Sequence, residues 1–128
     1  MVLSPKADGL LHRAISQSGG PSTTTISKAE NYSDDEEGGH RSSSREIVNK
    51  LLIADDMVKD RADAKAYQNE MTNNEIAEYL HSKSAKELVR SYEPGPAGMV
   101  SFPQVFRDGT VLPKGDPFDS FRDPSRYN

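Results

Sequence analysis

Ser43, Thr72 and Ser84 each stand three residues ahead of a glutamate, at Glu46, Glu75 and Glu87. In a capping box the hydroxyl accepts a free backbone N–H of the first turn, and the glutamate reaches back to the cap. Apolar residues follow each pair at helical spacing: Ile47, Val48, Leu51, Leu52 and Val58 in the first stripe, then Ile76, Ala77 and Leu80, then Leu88, Val89 and Tyr92. Between the first two, "ADAKAYQNEM" predicts a further helix with Ala64, Tyr67 and Met71 on one face. Residues 43–93 are therefore expected to be helical, and Pro94 and Pro96 end the run. The stripes are thin. Such helices need a larger surface to pack on, and burial against the rest of a bigger domain is preferred over a partner groove.

The apolar inventory points the same way. Leu, Ile, Val and Phe together make 24 of the 128 residues, close to the level at which burial no longer offsets the entropy of ordering a chain. A net charge of −4 does not force disorder. No basic stripe with interleaved aromatics is present, which argues against a nucleic-acid partner. No apolar run approaches the roughly 18 residues of a membrane span. "MVLSPKADGLLHR" lacks the layout of a signal peptide, and zero cysteines exclude disulfides and thiolate metal sites.

The flanks are of a different kind. Residues 1–18 read as a turn at Ser4-Pro5 and Gly9, then a short buried strand over His12–Ser18 that contains Ile15. Residues 19–42, rich in Gly, Ser, Thr and acid, read as a flexible loop, with Asp34 to Glu37 as a solvated acidic run. Asn31-Tyr32-Ser33 fits the glycosylation sequon. Residues 102–113 carry a hairpin signal. Asp108-Gly109 suits a type I′ turn that would set Phe106 opposite Val111 and Val105 opposite Leu112. Residues 114–128 form a proline-punctuated tail with Phe118 and Phe121 in a single turn.

The sequence holds no complete active site. A nucleophile elbow needs Gly-x-Ser-x-Gly, because small residues allow the strained strand-to-helix turn that exposes the serine. Around Ser18 the first glycine is replaced by Ser16, and the sequel "PSTTT" is not a helix. His12, His40 and His81 are far apart in sequence, with no orienting acid beside them and no metal-ligand spacing. Neither a metal nor another cofactor is expected.

Two segments resemble a known family. "LSPKADGLLHRAISQSGG" is similar to the stretch that follows the elbow in type-B carboxylesterases, the cholinesterase-like α/β-hydrolases, through Ser4, Pro5, Gly9, Leu10, Arg13, Ala14, Ile15, Gln17, Ser18 and Gly19. "FPQVFRDGTVLPKGDPFDSF" resembles a second family segment through Pro103, Val105, Asp108, Gly109, Leu112, Pro113 and Pro117. The resemblance implies an α/β class: a partial α/β-hydrolase fold with one central strand, a segment of short helices and a β-hairpin. It implies an internal portion of a serine carboxylic-ester hydrolase that acts on a small-molecule ester through an acyl-serine intermediate. The nucleophile, acid and histidine would all lie outside this chain, which alone would be inactive. Ser18 would then support the acidic member of the triad by hydrogen bonding rather than attack substrate. The rival readings are a stand-alone binding module built on the helices, and a non-catalytic, adhesion-type member of the same fold.

Overall fold

Each helix begins at a side chain that can accept a backbone N–H. The computed structural model describes residues 3–10, 13–15, 17, 19, 20, 22–92, 94 and 104–123. Among them run six α-helices: α1 Ile26–Glu30, α2 Ser44–Ala54, α3 Arg61–Glu70, α4 Asn73–His81, α5 Ala85–Arg90 and α6 Pro117–Arg122. The caps are Thr25, Ser43, Asp60, Thr72, Ser84 and Asp116, in that order. Asp60 takes two N–H groups, from Ala62 and Asp63 at 2.8 and 3.0 Å. Such caps satisfy donors that the first turn of any helix leaves without an intrahelical partner.

Two of the three expected capping boxes close. Thr72 and Ser84 accept from Glu75 N–H and Glu87 N–H, and both glutamates accept the cap's own N–H in return. The third closes only halfway. Ser43 accepts from Glu46 N–H at 3.3 Å, but Ser43 N–H donates to the His40 carbonyl, and the Glu46 carboxylate is engaged elsewhere.

Helix α2 ends in a Schellman motif. Asp56 N–H donates to Ile53 O and Met57 N–H to Leu52 O, with Asp56 at φ 56°. That left-handed position usually takes glycine. The turn delivers the chain to α3, which packs on α2.

The core is small and lies among α2, α3 and α4. Val48, Leu52 and Ala64 are its centre, with Ile53, Val58, Ile76, Tyr79 and Leu80 packed around them. The α2 stripe is buried as its spacing predicts: Ile47, Val48, Leu51 and Leu52 are all inside. The α3 face differs from the expected one. Ala64 and Gln68 point inward, whereas Tyr67 is exposed. Gln68 faces in because its amide spans two acceptors, Arg45 O and Asn49 Oδ1, at 3.0 and 2.9 Å.

The expected α/β class is not what forms. The described residues hold no strand and no sheet; Thr24 and Phe106 meet only in an isolated parallel bridge. In the supposed central strand, Ile15 is 91% exposed. One apolar side chain with no paired neighbour buries nothing, and Ser16, Ser18 and His12 fall outside the described residues. The β-hairpin is replaced by a side-chain turn. The Asp108 carboxylate accepts N–H groups from Thr110, Val111 and Leu112 at 2.8–3.1 Å, and Gly109 N–H donates to Leu112 O. Gly109 has the positive φ that a type I′ turn needs, but Asp108 does not. The aspartate supplies the acceptor that a cross-strand ladder would have supplied. Pro103 and its two predecessors lie outside the described residues. The tail's Phe118 and Phe121 sit on α6 and are both largely exposed.

Replacing Leu52 with alanine, at a fully buried position, should cost about 3 kcal/mol. The exposed Ile15→Ala should stay within about 0.5 kcal/mol. Urea unfolding followed by circular dichroism reads both. Equal effects would show that the α2–α3–α4 core is not the stabilising unit.

Candidate functional site

The polar segment 19–42, expected to be a flexible loop, is fastened at many points. It contains α1, and Tyr32 beyond it is 2% exposed. The Tyr32 hydroxyl hydrogen-bonds Asn69 Oδ1 at 3.0 Å. The Arg45 guanidinium and the Lys65 ammonium both lie over its ring, at 5.0 and 4.5 Å from the ring centre. Lys28 Nζ donates to Gly38 O at 2.6 Å, and Ser27 Oγ to Glu37 Oε2 at 2.6 Å. Gly39 passes so close to α1 that a Cβ there would lie 1.7 Å from Asn31 O. No side chain fits. In the sequon, the Asn31 amide donates to Glu37 O and Ser33 Oγ to Glu46.

The acidic run is paired rather than solvated at its first two members. Arg61 reaches from α3 to Glu46 of α2 with Nε at 3.0 Å and Nη2 at 2.6 Å, a two-point grip. The same Nη2 donates to Asp34 at 2.7 Å. Lys65, one turn on, meets Asp34 and Asp35 at 2.9 and 3.2 Å. The Glu46 side chain is only 6% exposed. Burial pushes its carboxyl up, but Arg61 and the N–H and O–H of Ser33 outweigh burial and hold it down at about 2. Arg61 and then Lys65 hold Asp34 well below the usual carboxylate range. This cluster is a clasp. Its hydrogen bonds and ion pairs join α2, α3 and the segment before α2.

A second place has room for a ligand. A cavity of about 370 Å3 is lined on one side by Gly19, Gly20 and Thr23. Val105, Arg107, Leu112, Pro113, Pro117 and Phe121 line the other. The two sides are joined by the parallel bridge: Thr24 N–H donates to Val105 O, and Arg107 N–H to Thr24 O, both at 3.0 Å. A neighbouring groove of about 480 Å3 shares Val105 and Leu112 with it and adds Ser42, Tyr92 and Phe106. The surface here is apolar and open, with Val105 65% exposed.

Catalytic groups are not gathered at this cavity. Ser18, the expected supporting residue, lies outside the described residues, although Gln17 and Gly19 on either side are described and exposed. His40 turns its Nδ1 to the N–H of Ser42 at 3.1 Å, within its own turn. His81 is exposed at the end of α4. Among the described residues no cluster of three or more metal-ligating side chains forms, and no helix is long and apolar enough to cross a membrane. Among the cavity-lining residues that the sequence does not single out is Arg107. Its only signal is a charge set inside the run "FPQVFRDGTVLP". No family model matches the chain, and no curated protein or solved structure matches it either.

Arg61→Gln should destabilise the chain by about 3 kcal/mol, because it leaves the buried Glu46 without its counter-charge. The pH dependence has a definite sign. The Glu46 carboxyl is lowered on folding to about 2 from its ordinary 4.5, so its stabilisation is complete above about pH 5 and fades as pH falls towards 2. Urea midpoints measured from pH 7 to pH 2 should fall in that window for the native chain. They should fall less steeply for Glu46→Gln.

Proposed function

We infer that this chain is a non-catalytic portion of a serine carboxylic-ester hydrolase, contributing walls around an apolar cavity while the reacting groups lie elsewhere in the parent protein. One observation carries the reading. The two segments that resemble type-B carboxylesterases are distant in sequence, yet they line a single cavity, Gly19 and Gly20 from one and Val105, Leu112, Pro113 and Pro117 from the other. In the parent, an activated serine would form an acyl intermediate, a histidine would act as general base, and backbone N–H groups would stabilise the oxyanion. The exposed apolar side chains Val105 and Phe121, both on the cavity wall, support it as well. Exposed apolar surface of this kind suits contact with a substrate or with further protein.

The helix-based binding module is less well supported. The broadest stripe, on α2, is spent on the chain's own core. An adhesion-type member would share the cavity and differ only in lacking the nucleophile.

Labelling with a fluorophosphonate separates these readings. The 128-residue chain should neither label nor hydrolyse p-nitrophenyl acetate. The longer polypeptide should label at a serine outside it. Turnover by the chain that Ser18→Ala abolishes would overturn the proposal, as would a parent protein that does not label.

A further inference from the structure

Arg107 carries a buried side-chain donor that meets no partner among the described residues. Its backbone is fixed by the hydrogen bond to Thr24 O, and the residue lines the 370 Å3 cavity together with Leu112, Pro113 and Phe121. Its Nε is buried and meets no hydrogen-bond partner among the described residues. A buried charged donor left unpaired carries its full desolvation cost. The aspartates that follow it in sequence have partners of their own. Asp108, next in sequence, is occupied by three backbone N–H groups of its own turn. Asp116 accepts from Phe118 N–H, and Asp119 pairs with Arg122. The cavity thus has beside it a guanidinium whose Nε meets no partner among the described residues, in a mostly apolar lining that also holds Ser22, Thr23 and Ser120.

We propose that this cavity binds a monocarboxylic acid with an apolar tail, its carboxylate on Arg107 and its tail against Leu112, Pro113 and Phe121. A carboxylate presents two acceptors in one plane, which matches the planar donors of a guanidinium. The tail gains from leaving water for the apolar wall. The volume suits a small molecule. At about 30 Å3 per water-sized group it admits on the order of ten non-hydrogen atoms, the size of octanoate. The assignment goes beyond the ester-hydrolase reading and stands on Arg107 and the cavity walls alone.

Isothermal titration of the 128-residue chain with octanoate, and with 1-octanol as the uncharged control, tests it. Octanoate should bind at one site at least about tenfold more tightly than octanol, a margin of about 1.4 kcal/mol. Arg107→Gln should remove that margin and leave octanol binding unchanged, and Arg107→Lys should restore part of it. Phe121→Ala, at a side chain already 41% exposed, should weaken both ligands alike without unfolding the chain. Equal affinity for the two ligands, an unaltered octanoate affinity in Arg107→Gln, or no saturable octanoate binding would each overturn the site. Octanoate binding alongside an unlabelled parent would sink only the hydrolase reading. A labelled parent with no octanoate binding would sink only this one.

Discussion

The grip of Arg61 on Glu46 sets the relation of the chain's polar half to its apolar half. Glu46 belongs to α2, Arg61 to α3, and Ser33 and Asp34 to the segment before α2. One guanidinium therefore ties together an interhelical contact and a long acidic connection. A buried pair of this kind is not automatically stabilising against an apolar alternative, since two charges must leave water. Here the carboxylate also receives the N–H and O–H of Ser33, and the guanidinium stays 40% exposed. The desolvation cost is thereby limited, and the geometry singles out one packing of α2 against α3.

Around that clasp the apolar material is used sparingly. The cluster of Val48, Leu52 and Ala64 is completed by partly buried residues of α4 and of the turn before α3. A chain with so few large aliphatic residues cannot also cover a second face. Of the uncovered residues, Val105, Phe106, Val111 and Phe121 line the two cavities. The apolar core thus lies in the middle of the chain, and the ligand-sized space lies where the flanking segments meet, with α6 supplying part of its wall.

The helical half was legible because its signals are local. A hydroxyl three residues ahead of a glutamate, followed by an apolar stripe, acts within one or two turns, and the caps at Ser43, Thr72 and Ser84 all form. The flanks were misread because their signals are ambiguous until partners are known. Asp108-Gly109 allows a type I′ hairpin or an aspartate-capped turn, and the choice depends on whether a second strand competes for the Thr110, Val111 and Leu112 N–H groups. Tyr32 looks like one aromatic in a polar loop. It is buried only because Arg45, Lys65 and Asn69 arrive around it from α2 and α3. Of the candidate site, the motif residues were visible in the sequence. Arg107 was not, since a lone arginine carries no mark of an unpaired Nε.

What the sequence by itself determined is where helices start, which face of α2 is apolar, and that the chain has little apolar surface to spend. These follow from spacing and side-chain chemistry over a few residues. Tertiary structure alone decided that Glu46 leaves its capping box for Arg61 and that the acidic run is held rather than free. It also decided that Thr24 meets Phe106 in parallel and opens a cavity between distant segments. The reason is physical. A carboxylate, a backbone N–H or an arginine can satisfy several partners equally well in sequence, and only the packing of elements brings one of them within hydrogen-bond reach.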